Sequence, residues 1–134
     1  MPHLVILYTA NLERETDMAA LCRTLADTML TVKDEAGRPV FPTGGVRVLA
    51  YPAAHSAVAD SQRDYGFAYL NLRMARGRSE VTKKNAGAAL TAAVKAHFAP
   101  LLAQRPLGLT LQIDEGLEVF DAKLGNLHPL FDKT

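Results

Sequence analysis

Met1-Pro2-His3-Leu4-Val5-Ile6-Leu7-Tyr8-Thr9-Ala10-Asn11-Leu12 opens the chain, and its reading decides the fold. From Leu4 to Ala10 the run is nearly all apolar. A continuous apolar run, rather than an alternating one, predicts a strand buried on both faces. Such a strand belongs to a sheet with helices on one side and some other cover, such as another subunit, on the other. Proline is tolerated at the first residue of a strand, where it need not donate to the ladder. Methionine removal is efficient ahead of a small second residue, so the mature chain is expected to begin with Pro2, a free secondary amine. An unperturbed α-amino group titrates at about 7.7–8.0. Burial or a nearby cation lowers that value, and a group poised near neutrality suits general acid–base chemistry. A proline in second place usually marks only methionine processing and a loose start. The immediate strand argues against a loose start.

The chain has 134 residues, which fits one domain, and 49% of them are hydrophobic, enough for a core. A net charge of +1 and a pI near 7.9 speak against a nucleic-acid or membrane-surface role. One cysteine, Cys22, makes no disulfide framework. No stretch reaches transmembrane length and no leader pattern opens the chain. These features predict a cytoplasmic protein.

Outward from the first strand, Met18, Leu21, Cys22, Leu25, Met29 and Val32 recur at three- and four-residue steps. They predict a helix from Glu13 to about Val32, capped by Thr16 or Asp17. Cys22 lies in this stripe and reads as a small buried hydrophobe rather than a nucleophile. The polar stretch from Lys33 to Pro39 is a surface connection. Val46 to Tyr51 reads as a second strand, interrupted by Arg47. That arginine either snorkels to an edge or points into a polar site. From the strand alone the edge has a slight advantage. Tyr65 to Met74 predicts a third strand, after an irregular segment from Pro52 to Arg63.

Ser79 is a good N-cap for a second helix, and Glu80 complements its dipole. Leu90, Val94 and Phe98 form its apolar stripe, and Pro100 should end or bend it near Ala99. Leu107, Leu109, Leu111 and Ile113 alternate with Gly108, Thr110 and Gln112, a period-two strand. The order is strand–helix–strand twice, over about 2–51 and 65–113, with a tail over 114–134. That order predicts an α+β two-layer sandwich: two βαβ units, a four-stranded sheet, and two helices on one face. The other face would be bare, which predicts oligomerisation through it.

Motifs for other chemistries are missing. His3, His55, His97 and His128 have no ligand spacing, so no metal site is expected. His97, near a helix C-terminus, reads as a dipole partner. Gly44-Gly45 precedes a strand, the wrong context for a phosphate loop. Neither Ser56 nor Ser79 stands in a recognisable nucleophile motif. Arg76-Gly77-Arg78 by itself reads as a solvated turn.

Five pieces nevertheless occur in a telling order. They are Met1-Pro2-His3-Leu4, Phe41-Pro42 with Gly44-Gly45-Val46-Arg47, Asp64-Tyr65-Gly66-Phe67-Ala68, Gly77-Arg78-Ser79 and Asn126-Leu127-His128-Pro129-Leu130-Phe131. From first to last they resemble the 5-carboxymethyl-2-hydroxymuconate isomerase family of the tautomerase superfamily, whose members begin with a catalytic proline. The resemblance covers essentially the whole chain. It implies a homotrimer built around the bare sheet faces, with Pro2 as the general base. It implies that Arg47 and Arg78 meet the substrate carboxylates or the developing dienolate oxygen, for which the planar guanidinium fork is suited. It implies a carboxylated 2-hydroxydienoate substrate from aromatic-compound catabolism, and no cofactor. One position departs from the family pattern: Leu49 stands where a second arginine often follows the first, which leaves the carboxylate count of the substrate open. A different tautomerase-superfamily activity (tautomerase, decarboxylase or dehalogenase on a small acid) and a non-catalytic trimeric small-acid-binding module remain the alternatives. Fold alone does not decide among these.

Overall fold

The computed structural model of the chain describes residues 2–131. The fate of Met1 and the last three residues of the tail lie outside that range. Six elements make up the fold: β1 (His3–Thr9), α1 (Met18–Thr31), β2 (Arg47–Ala53), β3 (Gly66–Met74), α2 (Glu80–Leu102) and β4 (Leu107–Glu115). The four strands lie in the order β2-β1-β3-β4. Each βαβ unit keeps its strands parallel, and the two units meet antiparallel at β1 and β3. This is the expected α+β two-layer sandwich.

The strands alternate because one sheet face meets the helices. Leu4 and Ile6 of β1 and Leu70 and Leu72 of β3 are fully buried against Leu21, Leu25 and Met29 of α1 and Leu90 and Phe98 of α2. The opposite face of β1 is not closed within one chain. Leu7 stays 47% exposed there, beside Leu49 at 46% and Tyr51 at 50% on β2. The apolar run is therefore buried on one face and open on the other. The β3–β4 half of the open face is polar, where Tyr69 donates to Gln112 and Asn71 to Asp114.

Several boundaries differ from the sequence expectation, each for a local reason. α1 begins at Met18 rather than Glu13, because Ala10–Leu12 form a 3-10 turn. Asp17 is the cap, its carboxylate accepting from the Ala20 amide. Tyr8, at the end of β1, donates to Glu13. Burial and that carboxylate push the Tyr8 hydroxyl pKa up to about 12. β2 starts at Arg47 and runs on through Pro52 to Ala53. It is an edge strand, so a missing N–H can face away from the ladder.

β3 starts one residue later than expected, at Gly66, and β4 extends to Glu115. Pro100 does not stop α2, which continues to Leu102. Only the last turn loses a backbone bond there, and the burial of Leu101 carries the helix onward. His97 reaches across to the segment ahead of α1. Its Nε2 lies 2.7 Å from the Thr16 hydroxyl, and burial lowers its pKa, which favours the neutral ring. Cys22 is half-buried in the α1 stripe, where desolvation raises its pKa and leaves it a poor thiolate.

Candidate active site

The sheet register brings the site together at one end of the strands. β1 and β2 run parallel with His3 opposite Arg47, so β2 starts beside the chain's N-terminus. β3 runs antiparallel to β1 with Arg73 opposite His3, so the end of β3 returns to the same place. The turn after Met74 then delivers Arg78 next to Pro2. Gly77 has a φ of +103°, a left-handed conformation that favours glycine. Ser79 caps α2 by accepting from the Thr82 amide. The hydroxyls of Ser79 and Thr82 both donate to Glu35 in the connection after α1, and these bonds lower the carboxyl pKa of Glu35. The segment that carries Arg78 is thus pinned where it enters α2.

Pro2 is buried. It lines a hollow of about 270 Å³ together with Val40, Phe41, Pro42, Met74, Ala75, Arg78, Lys123 and His128. Arg78 Nη2 donates to the Val40 carbonyl at 2.7 Å. Its Nε is buried without a hydrogen-bond partner among the described residues. Such an orphan donor is unfavourable and is tolerated where the rest of the group is wanted in place. Here one arm of the guanidinium is tethered and the group stands at the wall of the hollow.

Arg47 does not share that hollow. By the period-two alternation of a strand, Pro2 is on the face of Leu4 and Ile6, whereas His3 is on the other. Arg47 is opposite His3 and so takes the open side. Its Nη1 donates to the Gly44 carbonyl at 2.9 Å. It lines an adjoining hollow of about 160 Å³ with residues 123–128. Lys123 and His128 line both hollows.

The C-terminal tail completes the site, which the sequence reading did not foresee. His128–Phe131 form a 3-10 turn that packs on a second one, Thr43–Gly45. A Cβ on Gly44 would stand 2.9 Å from His128 Cα, and one on Gly45 would stand 3.4 Å from Pro2 Cδ. The two glycines are therefore the close approach between tail, loop and Pro2. The histidine had been visible only as one of four dispersed histidines and as part of the Asn126–Phe131 piece. Gly44→Ala has backbone, not a flexible side chain, to push against. We expect it to cost about 1–3 kcal/mol of stability and to raise KM as His128 is displaced. Urea unfolding and steady-state kinetics on the same variant would check both; native values for both would refute the packing described.

Among the described residues, no three of His, Cys, Asp or Glu converge as metal ligands. No helix among them is long and apolar enough to cross a membrane. A sequence model of the 5-carboxymethyl-2-hydroxymuconate isomerase family matches residues 2–131. The chain belongs to this family. A 5-carboxymethyl-2-hydroxymuconate Delta-isomerase of Escherichia coli is 30% identical over 98% of this chain and 99% of its own length. A crystal structure of a 5-carboxymethyl-2-hydroxymuconate delta-isomerase is 62% identical, with a TM-score of 0.96 over 100% of this chain and 95% of that one. A 5-carboxymethyl-2-hydroxymuconate isomerase from Deinococcus radiodurans R1 is 39% identical, with a TM-score of 0.87 over 98% and 95% of the two chains. At 18% identity and a TM-score of 0.57, a fused 4-OT solved as an asymmetric trimer shares the fold over 96% of this chain and 98% of that one. The tautomerase-like architecture expected from the five sequence pieces is thus the architecture of the family.

Proposed function

We propose that this chain is a cofactor-independent isomerase that moves a proton within a carboxylated 2-hydroxydienoate of the 5-carboxymethyl-2-hydroxymuconate type. The reading rests above all on one observation: a buried Pro2 shares a hollow with the guanidinium of Arg78. With the methionine removed, the Pro2 secondary amine accepts a proton from one position of the dienol and returns it to another. Apolar burial by Val40, Phe41 and Met74 and the adjacent cation both favour the neutral amine, the form that can act as base. Arg78 holds a carboxylate or the developing dienolate oxygen, since charge is left on the 2-hydroxy oxygen as its proton leaves and before carbon is protonated. Arg47 holds a more distant carboxylate from the adjoining hollow.

We further propose a homotrimer formed through the open sheet face, acting in the cytoplasm in aromatic-compound breakdown. Leu7, Leu49 and Tyr51 supply the apolar part of that face. The tail adds Leu117, Val119, Phe120 and Leu124, each at least 70% exposed in the isolated chain. A run of such residues is the composition of a subunit contact.

The test is ultraviolet-monitored conversion of 5-carboxymethyl-2-hydroxymuconate, with intact mass and solution mass measured on the same sample. Expected are a chain lacking methionine, a particle of three chains and turnover without added metal or cofactor. A chain that retains methionine and binds carboxylates without turnover would instead support a non-catalytic binding module. A chain lacking methionine that acts only on a smaller acid would move the assignment to another activity of the superfamily.

A further inference from the structure

We propose that Lys123 is a specificity-determining residue that binds one substrate carboxylate and matches the enzyme to the most highly carboxylated substrate. The proposal rests on the isomerase reading above. Its first support is position. Lys123 and His128 line both the hollow of Pro2 and Arg78 and the hollow of Arg47, and Lys123 brings an ammonium to both. A ligand that reaches both arginines spans two hollows whose shared lining is Lys123 and His128.

The second support is charge matching. Arg78 and Arg47 account for two anionic groups. Along the open face of β2 the next residues, Leu49 and Tyr51, carry no charge. Arg73, opposite His3 on β3, is a cation on that face but lines neither hollow, and it pairs with Glu118 at 3.7 Å. The tail supplies the further cation that lines both hollows, Lys123. The third support is the state of the ammonium. Lys123 Nζ lies 2.5 Å from Asp121 Oδ2, and both side chains are about half exposed, at 50% and 48%. An exposed pair of this kind is weak. Asp121 keeps the lysine charged and near the mouth of the site, and a substrate carboxylate can replace it without leaving a buried charge behind. Lysine suits this role better than arginine would, because its compact charge on a flexible stem can swing between the two carboxylates.

The test compares Lys123→Met, Lys123→Arg and Asp121→Asn in the full-length protein. Titration calorimetry with propane-1,2,3-tricarboxylate and with butanedioate reads binding without turnover. Steady-state kinetics on 5-carboxymethyl-2-hydroxymuconate and on 2-hydroxymuconate read KM against kcat. Lys123→Met should weaken the tricarboxylate about tenfold, the size of one charge-assisted hydrogen bond. It should weaken the dicarboxylate far less, and KM should rise more than kcat falls. Lys123→Arg should recover most of the loss. Asp121→Asn should leave tricarboxylate binding as tight or tighter.

If Lys123 serves only to pin the tail through Asp121, Lys123→Met and Asp121→Asn will instead lose affinity alike, for both probes, and the proposal fails. Native affinity in Lys123→Met also overturns it, while a wild-type chain active on the dienol leaves the isomerase reading standing. A wild-type chain that neither binds the probes nor turns over the dienol overturns both.

Discussion

Pro2→Ala should lower kcat/KM at neutral pH by about a hundredfold or more, within the range that a positioned general base contributes. Alanine is also small enough to allow methionine removal, so the variant still carries an amine at its start. What changes is the amine itself. The proline ring fixes φ and ties the nitrogen back onto its own Cα. In this structure Pro2 Cδ also faces Gly45, where an added Cβ would stand 3.4 Å away. Alanine leaves a primary amine free to rotate away from the reacting carbon. The fold should survive, because the core is made by Leu4, Ile6 and the helices and not by Pro2. Circular dichroism melts should therefore move by only a few degrees. In the wild type kcat/KM should rise with pH through the pKa of the free enzyme's amine, since the deprotonated form is the base. That step should fall below the ordinary α-amino value of about 7.7–8.0. A Pro2→Ala chain that keeps a tenth or more of its activity, with methionine shown by mass to be removed, would rule out proline as the base.

Arg78→Ala should lose a comparable factor by a different route. Removing one donor aimed at developing oxyanion charge typically costs about 10²–10³ in turnover. Arg78 also bonds the Val40 carbonyl, so the variant leaves that acceptor without its partner, worth about 1–3 kcal/mol of stability. The two losses are separable. Arg78→Lys restores the charge but not the planar fork, and lysine cannot hold Val40 and a carboxylate together. Kinetics should recover in part and the melt less so. Arg78→Ala with native kcat/KM and a lowered melting temperature would show that the arginine only ties the loop to α2. Of the two arginines Arg78 is expected to matter more than Arg47, because it alone shares the proline's hollow.

The candidate site is legible in the sequence in part, for reasons that differ by residue. Pro2 announced itself because position in the chain is part of its chemistry. Arg78 read as a solvated turn until the Gly77-Arg78-Ser79 piece was set beside four others. For Arg47 the sequence allows an edge or a polar site, and the residue stands at the start of an edge strand and lines a hollow. His128 and Lys123 carried no periodic signal at all. They lie in a tail whose turns are set by contact with the Thr43–Gly45 loop and not by local propensity. Local rules about helix ends do not describe His97, whose ring meets Thr16, or the end of α2, which runs past Pro100 to Leu102. Both lie on a helix held by burial, at Phe98 and Leu101, and burial outweighs dipole and propensity effects of a fraction of a kcal/mol to a few.

By itself the sequence determined the element order, because hydrophobic period is a local property that the chain carries wherever it folds. It also determined the pairing of strands into two βαβ units, since a helix between two strands leaves few other connections. Only the tertiary structure decided which side chains share a space. Strand register fixed the faces: Pro2 and Arg47 are near one another in the sheet yet turn to opposite sides, because side chains alternate and Arg47 is opposite His3. Register depends on contacts between residues more than forty positions apart, and no local pattern encodes it.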